Sequence, residues 1–288
     1  MRWPEHAENW PLTEHSRLVL HRPHRWHVQE AGVGPTLLLI HGAGGATQSW
    51  RGLFPILAKT YHVVAIDLPG QGFTQLGARG RCGLDQVAED LLSLSADQGW
   101  HPDAIIGHSA GAAIALRMTE ALGDAPPAVI GINAALGNFK GVAGWLFPML
   151  ARLLSLSPFS ADLFIATSSS PRNVRKLIAG TGSKIDADGL ALYQRLASDR
   201  AHVDATLAMM AQWSLDGLLS RLDQLKAQTL FIVGESDSAV PPNTSAEAAA
   251  KIPKAKVIRL TGLGHLAHEE APQMIADRIT AWWSEAQQ

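Results

Sequence analysis

The chain has 288 residues, of which 47% are hydrophobic and 17% are charged, and its formal net charge is −2. This length and apolar content are enough for one large domain with a sizeable core, with or without an insertion. The near-neutral charge excludes an electrostatic surface for nucleic acid and a strong attraction to anionic lipid, so the predicted partner is a small molecule or a protein.

The chain contains one cysteine, Cys82, which excludes an intrachain disulfide framework, and the loop-like sequence around it favours a bystander over a nucleophile. Residues 1–15 mix charge, proline and histidine and lack the apolar stretch of a secretory signal. The uncharged run 141–151 is too short to cross a bilayer and contains Pro148. A cytoplasmic location is therefore predicted, and peripheral contact with the inner membrane stays open.

Eight short β-rich segments recur along the chain. The first two are "RLVLH" from 17 and "RWHVQE" from 25, which the turn sequence "RPH" joins into an expected antiparallel hairpin at one edge of a sheet. The other six are near-continuous apolar runs, as parallel strands buried on both faces require. They begin at residues 36, 62, 104, 128, 229 and 256.

Helical patterns alternate with these strands over 49–59, 84–99, 109–122, 244–252 and 271–285. The alternation predicts an α/β fold, with a mainly parallel eight-stranded sheet flanked by helices. Between about 136 and 220 the strand signal disappears, and the chain reads as helices punctuated by proline and serine. We therefore predict a core of residues 1–135 and 221–288. A helical cap of residues 136–220 is expected over the carboxyl ends of the strands, where open sheets bind ligands.

One serine stands at a junction between two glycines. The sequence "AIIGHSAGAAIAL" (104–116) passes from a strand pattern into a helix pattern, and its residues 107–111 fit the GxSxG nucleophile elbow centred on Ser109. Glycine on both sides gives the neighbouring chain room at this sharp turn. The N-terminus of the following helix favours negative charge developing at the serine. Taken alone, the pattern also fits an ordinary strand-to-helix turn.

Other positions supply what a serine nucleophile needs. Asp237 follows the strand "LFIVG", and His265 lies in the glycine-rich loop after the last strand. The chain order of nucleophile, acid and base agrees with the order expected downstream of such an elbow. The backbone N–H groups of Ala43, in the turn "HGAGG", and of Ala110 are candidates for an oxyanion hole. We therefore predict Ser109 as nucleophile, His265 as base and Asp237 as the acid that orients the imidazole.

Alternatives exist for several of these roles. Glu235 is a second candidate acid, two residues before Asp237 and nearer the strand end. His268 is a second candidate base, for which packing beside the site is the expected role. Asp67 precedes the elbow in the chain and is interpreted as a turn residue. The segment "HLAHEE" lacks the HExxH spacing of a zinc site, and nothing in the sequence calls for a metal or a cofactor.

These residues resemble the α/β-hydrolase superfamily over nearly the whole chain, which implies the α/β-hydrolase fold. Within it, the segments "VVAIDLPGQGFT", "GHSAGAAIALRM", "HVDATLAMMAQW" and "GLGHLAHEEAP" resemble the magnesium-chelatase accessory proteins of bacteriochlorophyll biosynthesis. Gln71 stands where many relatives carry His, a departure that touches no predicted triad role. The resemblance implies a role near the insertion of magnesium into protoporphyrin IX, with magnesium chelatase subunits as candidate partners. It does not settle the reaction.

The composition of the predicted cap adds a hint about the ligand. Residues 141–170 contain just two charged side chains, Arg152 and Asp162, among many apolar ones. Either these apolar residues form the core of a helical cap, or they line a pocket or a membrane-facing rim for a flat apolar ligand such as a tetrapyrrole. The candidate substrate-binding residues are Trp145, Phe147, Met149, Met209 and Met210. The predicted function is hydrolysis of an ester or related acyl bond in an apolar substrate, and the alternative is a non-catalytic porphyrin-binding or chelatase accessory role.

Overall fold

The computed structural model describes residues 1–137 and 160–286, which are built around one eight-stranded sheet of order β1-β2-β4-β3-β5-β6-β7-β8. The strands from β3 onward pair in parallel, β1 and β2 form an antiparallel hairpin at the edge, and β2 also runs antiparallel to β4. The predicted sheet and its edge hairpin are confirmed. The strands are β1 (Ser16–His21), β2 (His24–Ala31), β3 (Thr36–Ile40), β4 (His62–Ile66), β5 (Ala104–His108), β6 (Ala128–Ile132), β7 (Thr229–Gly234) and β8 (Ala255–Leu260).

Strands β3 to β7 are buried on both faces, which explains their continuous apolar runs, whereas the edge strand β8 is only partly buried. In β3, Leu38 and Ile40 face one hydrophobic cluster, whereas Leu37 and Leu39 face the other. Side chains alternate across a strand, so a strand covered on both sides must be apolar at every position. Burying each such leucine or isoleucine contributes about 2 kcal/mol.

Helices cover both faces of this sheet. Side chains of the helices over 84–98 and 110–119 contribute to the first cluster, and side chains of the helices over 54–57 and 272–286 contribute to the second. In the part of the chain that the structure describes, no helix is long and apolar enough to cross a membrane. The helices are α1 (Phe54–Leu57), α2 (Leu84–Gln98), α3 (Ala110–Thr119), α4 (Ser160–Ser168), α5 (Pro171–Gly180), α6 (Ala187–Ala197), α7 (Arg200–Gln212), α8 (Asp216–Leu219), α9 (Asn243–Ala249), α10 (Ala267–Glu270) and α11 (Pro272–Ala286).

The prediction of one continuous helix over 49–59 is wrong. The chain forms a 3₁₀ turn over Thr47–Trp50 and then the short helix α1. Pro55 lies at the start of α1, where a proline is tolerated because its missing N–H would have no partner in the first turn. The same residue cannot continue a helix from the preceding turn, so the segment divides in two.

Helices α4 to α8, which we call the inserted helices, lie between β6 and β7 in the chain. Side chains at their starts accept hydrogen bonds from the first turn: Ser170 caps α5, Asp186 caps α6 and Asp199 caps α7. Such caps satisfy N–H groups that a helix leaves free at its start. Residues 138–159 of the predicted cap lie outside the described residues, so its limits at 136–220 stay a prediction.

Candidate active site

Ser109 lies at the turn between β5 and α3, with a φ of 52° and a ψ of −116°. Such a backbone conformation costs about 1–3 kcal/mol for a residue with a side chain, so the surrounding chain must impose it. The N–H of Ser109 donates to the Ile132 carbonyl at 3.0 Å, and its own carbonyl accepts from the N–H groups of Ala112 and Ala135 at 3.1 Å each. This is the backbone geometry expected of a nucleophile elbow.

Close approach of the backbone explains the two glycines of the elbow. A Cβ on Gly107 would lie 2.3 Å from backbone atoms of Gly111, and a Cβ on Gly111 would lie 2.1 Å from the carbonyl oxygen of Ile40. Both distances are far shorter than a normal contact, and Gly107 is also paired with Ile40 across the sheet. Glycine at both positions therefore lets α3 begin directly behind the serine.

Asp237 and His265 form a hydrogen-bonded pair at the ends of β7 and β8. Nδ1 of His265 lies 2.7 Å from Oδ2 of Asp237, and both side chains are at least 90% buried. The other carboxylate oxygen accepts from the N–H groups of Ala239 and Val240 at 2.8 Å each. Because a carboxylate can only accept here, Nδ1 carries the proton, which leaves Nε2 as a proton acceptor.

Asn133 contributes a contact that the sequence reasoning missed. Its Nδ2 donates to Oδ2 of Asp237 at 2.8 Å, so one carboxylate oxygen accepts from both the amide and His265. Asn133 immediately follows β6, which pairs with β7, and its φ of 47° is left-handed. Its place at the carboxyl end of the neighbouring strand was the available signal.

The elbow and the His265 loop lie side by side. Nε2 of His108 donates to the carbonyl of His265 at 2.9 Å, and the centroids of the two imidazole rings are 4.8 Å apart. Burial is the main reason that the pKa of His108 lies well below its usual value, and the nearby His268 and His265 lower it further. The hydroxyl of Ser109 forms no hydrogen bond to a described residue. Its contact with Nε2 of His265 stays a prediction, and such contacts often tighten only when substrate binds.

The two backbone groups predicted for the oxyanion hole have no hydrogen-bond partner among residues 1–137 and 160–286. The N–H groups of Ala43 and Ala110 donate no hydrogen bond to a described residue. Ala43 is exposed, and the adjacent Gly42 packs so closely on the elbow that a Cβ there would lie 2.9 Å from Cβ of Ser109. Ala110 is the first residue of α3. Both groups are therefore available to a ligand beside Ser109.

The turn that follows α5 holds the loops of Asp237 and His265 together. The carbonyl of Thr181 accepts from the N–H groups of Ser238 and His265, at 3.1 and 3.3 Å. The hydroxyl of Ser183 accepts from the N–H of Leu266 at 2.8 Å. The inserted helices thus supply contacts that fix the loops of the Asp237–His265 pair.

The comparison with known families identifies the family to which this fold belongs. A family described as alpha/beta hydrolase fold matches residues 35–272. The chain belongs to the α/β-hydrolase fold family. The predicted α/β-hydrolase fold is thereby confirmed.

Individual relatives of this α/β hydrolase differ in name. A Rhodobacter capsulatus protein named magnesium-chelatase 30 kDa subunit is 43% identical over 276 residues, covering 95% of this chain and 96% of that protein, which confirms the resemblance seen in the sequence. A pimeloyl-[acyl-carrier protein] methyl ester esterase of Aeromonas hydrophila is 25% identical, covering 88% of this chain and 96% of the relative. A thermophilic esterase from Thermogutta terrifontis shares the fold, with a TM-score of 0.72 at 21% identity over 94% of this chain and 98% of that chain.

In this α/β hydrolase neither Glu235 nor Cys82 is placed to act as the acid or the nucleophile. Glu235 accepts a hydrogen bond from the Thr261 hydroxyl at 2.9 Å on the surface, whereas His265 pairs with Asp237. Cys82 is buried, and burial raises the pKa of its thiol to about 11. A thiol that stays protonated at neutral pH is a poor nucleophile.

His268, the alternative base, is fully buried. Its ring lies 4.7 Å from that of Trp50 and 4.5 Å from that of His108, and neither of its nitrogens has a hydrogen-bond partner among the described residues. Burial, assisted by His265 and Arg51, lowers its pKa to about 3. Across residues 1–137 and 160–286, no group of three or more His, Cys, Asp or Glu side chains is arranged to hold a metal ion.

The predicted substrate-binding residues divide into two groups. Trp145, Phe147 and Met149 lie outside the described residues. On α7, Met209 is buried and its sulfur lies 3.3 Å from Nε2 of Gln71, while Met210 is half-buried. The pocket itself stays a prediction.

Proposed function

We propose that this α/β hydrolase cleaves an ester or related acyl bond of an apolar substrate, with Ser109, His265 and Asp237 as its catalytic triad. The observation that carries the proposal is the Asp237–His265 pair at 2.7 Å, next to a serine held at a φ of 52°. Backbone strain of this kind persists where function requires it. The esterases among the relatives support the same reaction class.

The reaction follows from the roles of these groups. The hydroxyl oxygen of Ser109 forms a bond to the substrate carbonyl carbon while its proton passes to Nε2 of His265. Asp237 stabilises the imidazolium, and the N–H groups of Ala43 and Ala110 receive the oxyanion. The carbon–oxygen bond to the leaving alcohol breaks as His265 returns the proton to that oxygen. Water, deprotonated by His265, then forms a bond to the acyl carbon. The bond from that carbon to Ser109 breaks as His265 returns the proton to the serine oxygen, which releases a carboxylic acid.

The inserted helices are proposed as part of a cap, residues 136–220, above this site. Support comes from the contacts that the turn after α5 makes with the loops of Asp237 and His265. The apolar composition of 141–170 suits an apolar substrate, such as a tetrapyrrole ester, with Trp145, Phe147, Met149, Met209 and Met210 as proposed wall residues. The relative named magnesium-chelatase 30 kDa subunit supports a role in bacteriochlorophyll biosynthesis near magnesium insertion.

Loss of the proposed nucleophile provides the test. Ser109→Ala is expected to lower turnover of p-nitrophenyl esters by about 10⁶-fold, to the detection limit, and to abolish labelling by a fluorophosphonate. Ser220→Ala, which alters an exposed hydroxyl on the inserted segment, should leave both unchanged. Full labelling of the Ser109→Ala protein would reject the assignment.

A second candidate function is a non-catalytic accessory that binds a porphyrin or steadies magnesium chelatase. The name of the 43% identical relative favours it. Spectral titration with protoporphyrin IX and its magnesium form tests binding, and a saturable shift is expected for a carrier. In a strain lacking the gene, restoration of pigment by Ser109→Ala would favour this role over catalysis. Failure of that variant, with restoration by Ser220→Ala, would favour the hydrolase.

A further inference from the structure

Gly44, next to the proposed oxyanion donor Ala43, is bound on both sides by side chains from other elements. Its N–H donates to Oε1 of Gln71 at 2.8 Å, and its carbonyl lies 3.2 Å from Nε2 of His202. Gln71 belongs to the turn after β4, and His202 lies on the inserted helix α7. Both side chains are at least 97% buried. Polar contacts at such depth have no water to replace them if they are lost.

His202 makes two contacts that together define one tautomer. Its Nδ1 accepts from the N–H of Gly72 at 3.1 Å, so Nδ1 is unprotonated. Nε2 must then carry the hydrogen and donate to the carbonyl of Gly44. Burial lowers the pKa of His202 to about 4, which keeps this neutral form at physiological pH.

Gln71 provides a second connection from Gly44 to the same helix. Its Oε1 accepts from Gly44, and its Nε2 lies 3.3 Å from the sulfur of Met209 on α7. The helix is close enough that a Cβ on Gly44 would lie 3.6 Å from Cγ2 of Thr206. The loop around Ala43 therefore rests on α7 through two buried side chains.

These contacts bear on the direction of the Ala43 N–H. The carbonyl of Gly42 accepts from Nδ1 of His41 at 2.8 Å and from the N–H of Gly45 at 3.0 Å. Since a peptide unit is planar, fixing this carbonyl fixes the N–H of Ala43 on the other side of the same unit. The next peptide unit ends in the Gly44 N–H, which Gln71 holds. Of the two donors to the Gly42 carbonyl, His41 belongs to the core, whereas the Gly45 N–H shares a peptide unit with the Gly44 carbonyl that His202 holds. The unit that carries the Ala43 N–H is therefore held partly through His202, and Gln71 holds the unit that follows it.

We propose that His202 and Gln71 are positioning residues for the oxyanion hole, through which α7 sets the direction of the Ala43 N–H. This inference rests on the proposed serine-hydrolase function and extends it, because stabilisation of the oxyanion then depends on the position of an inserted helix. A donor moved by about 1 Å lowers turnover by about 10²-fold. An effect confined to the oxyanion changes kcat and leaves KM in place.

Two substitutions at His202 separate its contacts. In His202→Gln the longer amide can reach the carbonyl of Gly44, whereas in His202→Asn the shorter amide keeps only the contact with Gly72. With a p-nitrophenyl ester, His202→Asn is expected to lower kcat by about 10- to 100-fold and to change KM by less than about twofold. His202→Gln is expected to stay within about threefold of the wild type. Inhibition by an alkylboronic acid, which adds to the serine and mimics the oxyanion, should weaken in His202→Asn by the same factor as kcat.

Gln71→Met tests the second connection at constant side-chain length, and it should show the same selective loss of kcat and boronate affinity. Gln273→Met is the matched control, since it makes the same change at an exposed glutamine of α11 that contacts Asp277 and not Gly44. Each kcat is calculated per molecule that the fluorophosphonate labels, so that misfolded protein does not lower it. Wild-type kcat and boronate affinity in both His202→Asn and Gln71→Met would overturn the inference while the hydrolase stands. Failure of the proposed function itself is recognised separately, by a wild-type protein that the fluorophosphonate does not label.

Discussion

The turn at Ser109 and the contacts of the inserted helices are built in different ways. At the elbow, backbone hydrogen bonds and the absence of side chains at Gly107 and Gly111 produce the strained turn at Ser109. The inserted helices pack on the core through apolar residues such as Met209, and they also contact it through polar side chains. Arg51, from the segment after the 3₁₀ turn, contacts both Glu269 beside the His265 loop and Asp186 at the start of α6.

The difference determines how each region fails. A turn that depends on missing atoms is disrupted when a single methyl group is added. A buried polar contact is disrupted when one partner is removed, because the other stays desolvated and unpaired. The contrast therefore predicts opposite kinds of sensitive substitution in the two regions.

Gly111→Ala gives the largest expected effect. The added methyl group would meet the Ile40 carbonyl at 2.1 Å, and backbone on both sides cannot move away. Alanine favours a helix over glycine by about 1 kcal/mol, but the clash outweighs this, and we expect a loss of about 4 kcal/mol or more in the free energy of unfolding. Urea denaturation measures it. Gly80→Ala is the control, since a Cβ there meets nothing within 4 Å, and equal losses would contradict the account.

Arg51→Met tests the opposite kind of failure. The variant leaves the fully buried Glu269 with the Tyr193 hydroxyl at 2.7 Å as its remaining side-chain partner. Breaking a buried pair in this way costs about 3 kcal/mol. Tyr193→Phe, which removes one hydrogen bond and no charge, should cost about 1 kcal/mol by the same measurement. A larger loss in the tyrosine variant would show that charge does not dominate this cluster.

The loss in Arg51→Met should also depend on pH. Burial raises the pKa of Glu269 to about 7, although Arg51 and the tyrosine hydrogen bond oppose the rise. Because the pKa of Glu269 is higher in the native state than in the unfolded state, the native state binds more protons. The contribution of Glu269 to the free energy of unfolding therefore falls as pH rises from about 4.5 to 7. Without Arg51 the pKa rises further. The difference between variant and wild type should therefore be larger at about pH 8 than at about pH 5.

His268→Leu is expected to change the acid response. Because the pKa of His268 is lowered to about 3 by burial, the unfolded state binds more protons below about pH 6.5, and stability falls as pH falls through that window. The contribution of His268 to the free energy of unfolding falls by up to about 1.4 kcal/mol for each pH unit. Between pH 7 and pH 5 the free energy of unfolding of the leucine variant should therefore fall by about 2 kcal/mol less than that of the wild type. Urea denaturation across this range measures it. Exposed His101→Gln should leave the slope unchanged.

The same contrast explains what the sequence could predict. The strands, the elbow at Ser109 and the loop positions of Asp237 and His265 follow from local patterns, since apolar runs, glycine spacing and strand ends are readable within a few residues. The prediction of one continuous helix over 49–59 is wrong because a proline such as Pro55 begins a helix as readily as it interrupts one. The local pattern did not distinguish the two.

Contacts between distant polar side chains could not be predicted. In the sequence, Gln71 is only a departure from the family pattern that touches no predicted triad role, yet its amide connects Gly44 to Met209 on α7. Gly44 and Met209 lie 27 and 138 residues from Gln71 in the chain. Only the packing of the inserted helices on the core decides which of many buried or exposed polar residues meet.

Asp162→Asn gives the smallest expected effect, and it tests whether an exposed ion pair of the inserted helices matters as much as the buried one of Arg51. Asp162 on α4 contacts Nε of Arg200 on α7 at 2.9 Å, but both side chains are more than half exposed. Water replaces a contact of this kind, so the loss in unfolding free energy should be no more than about 0.5 kcal/mol. It should shrink further between about 0.05 M and 1 M salt. A loss as large as that of Arg51→Met would mean that the inserted helices are held by their charges wherever these lie, and burial would no longer explain why Arg51 matters.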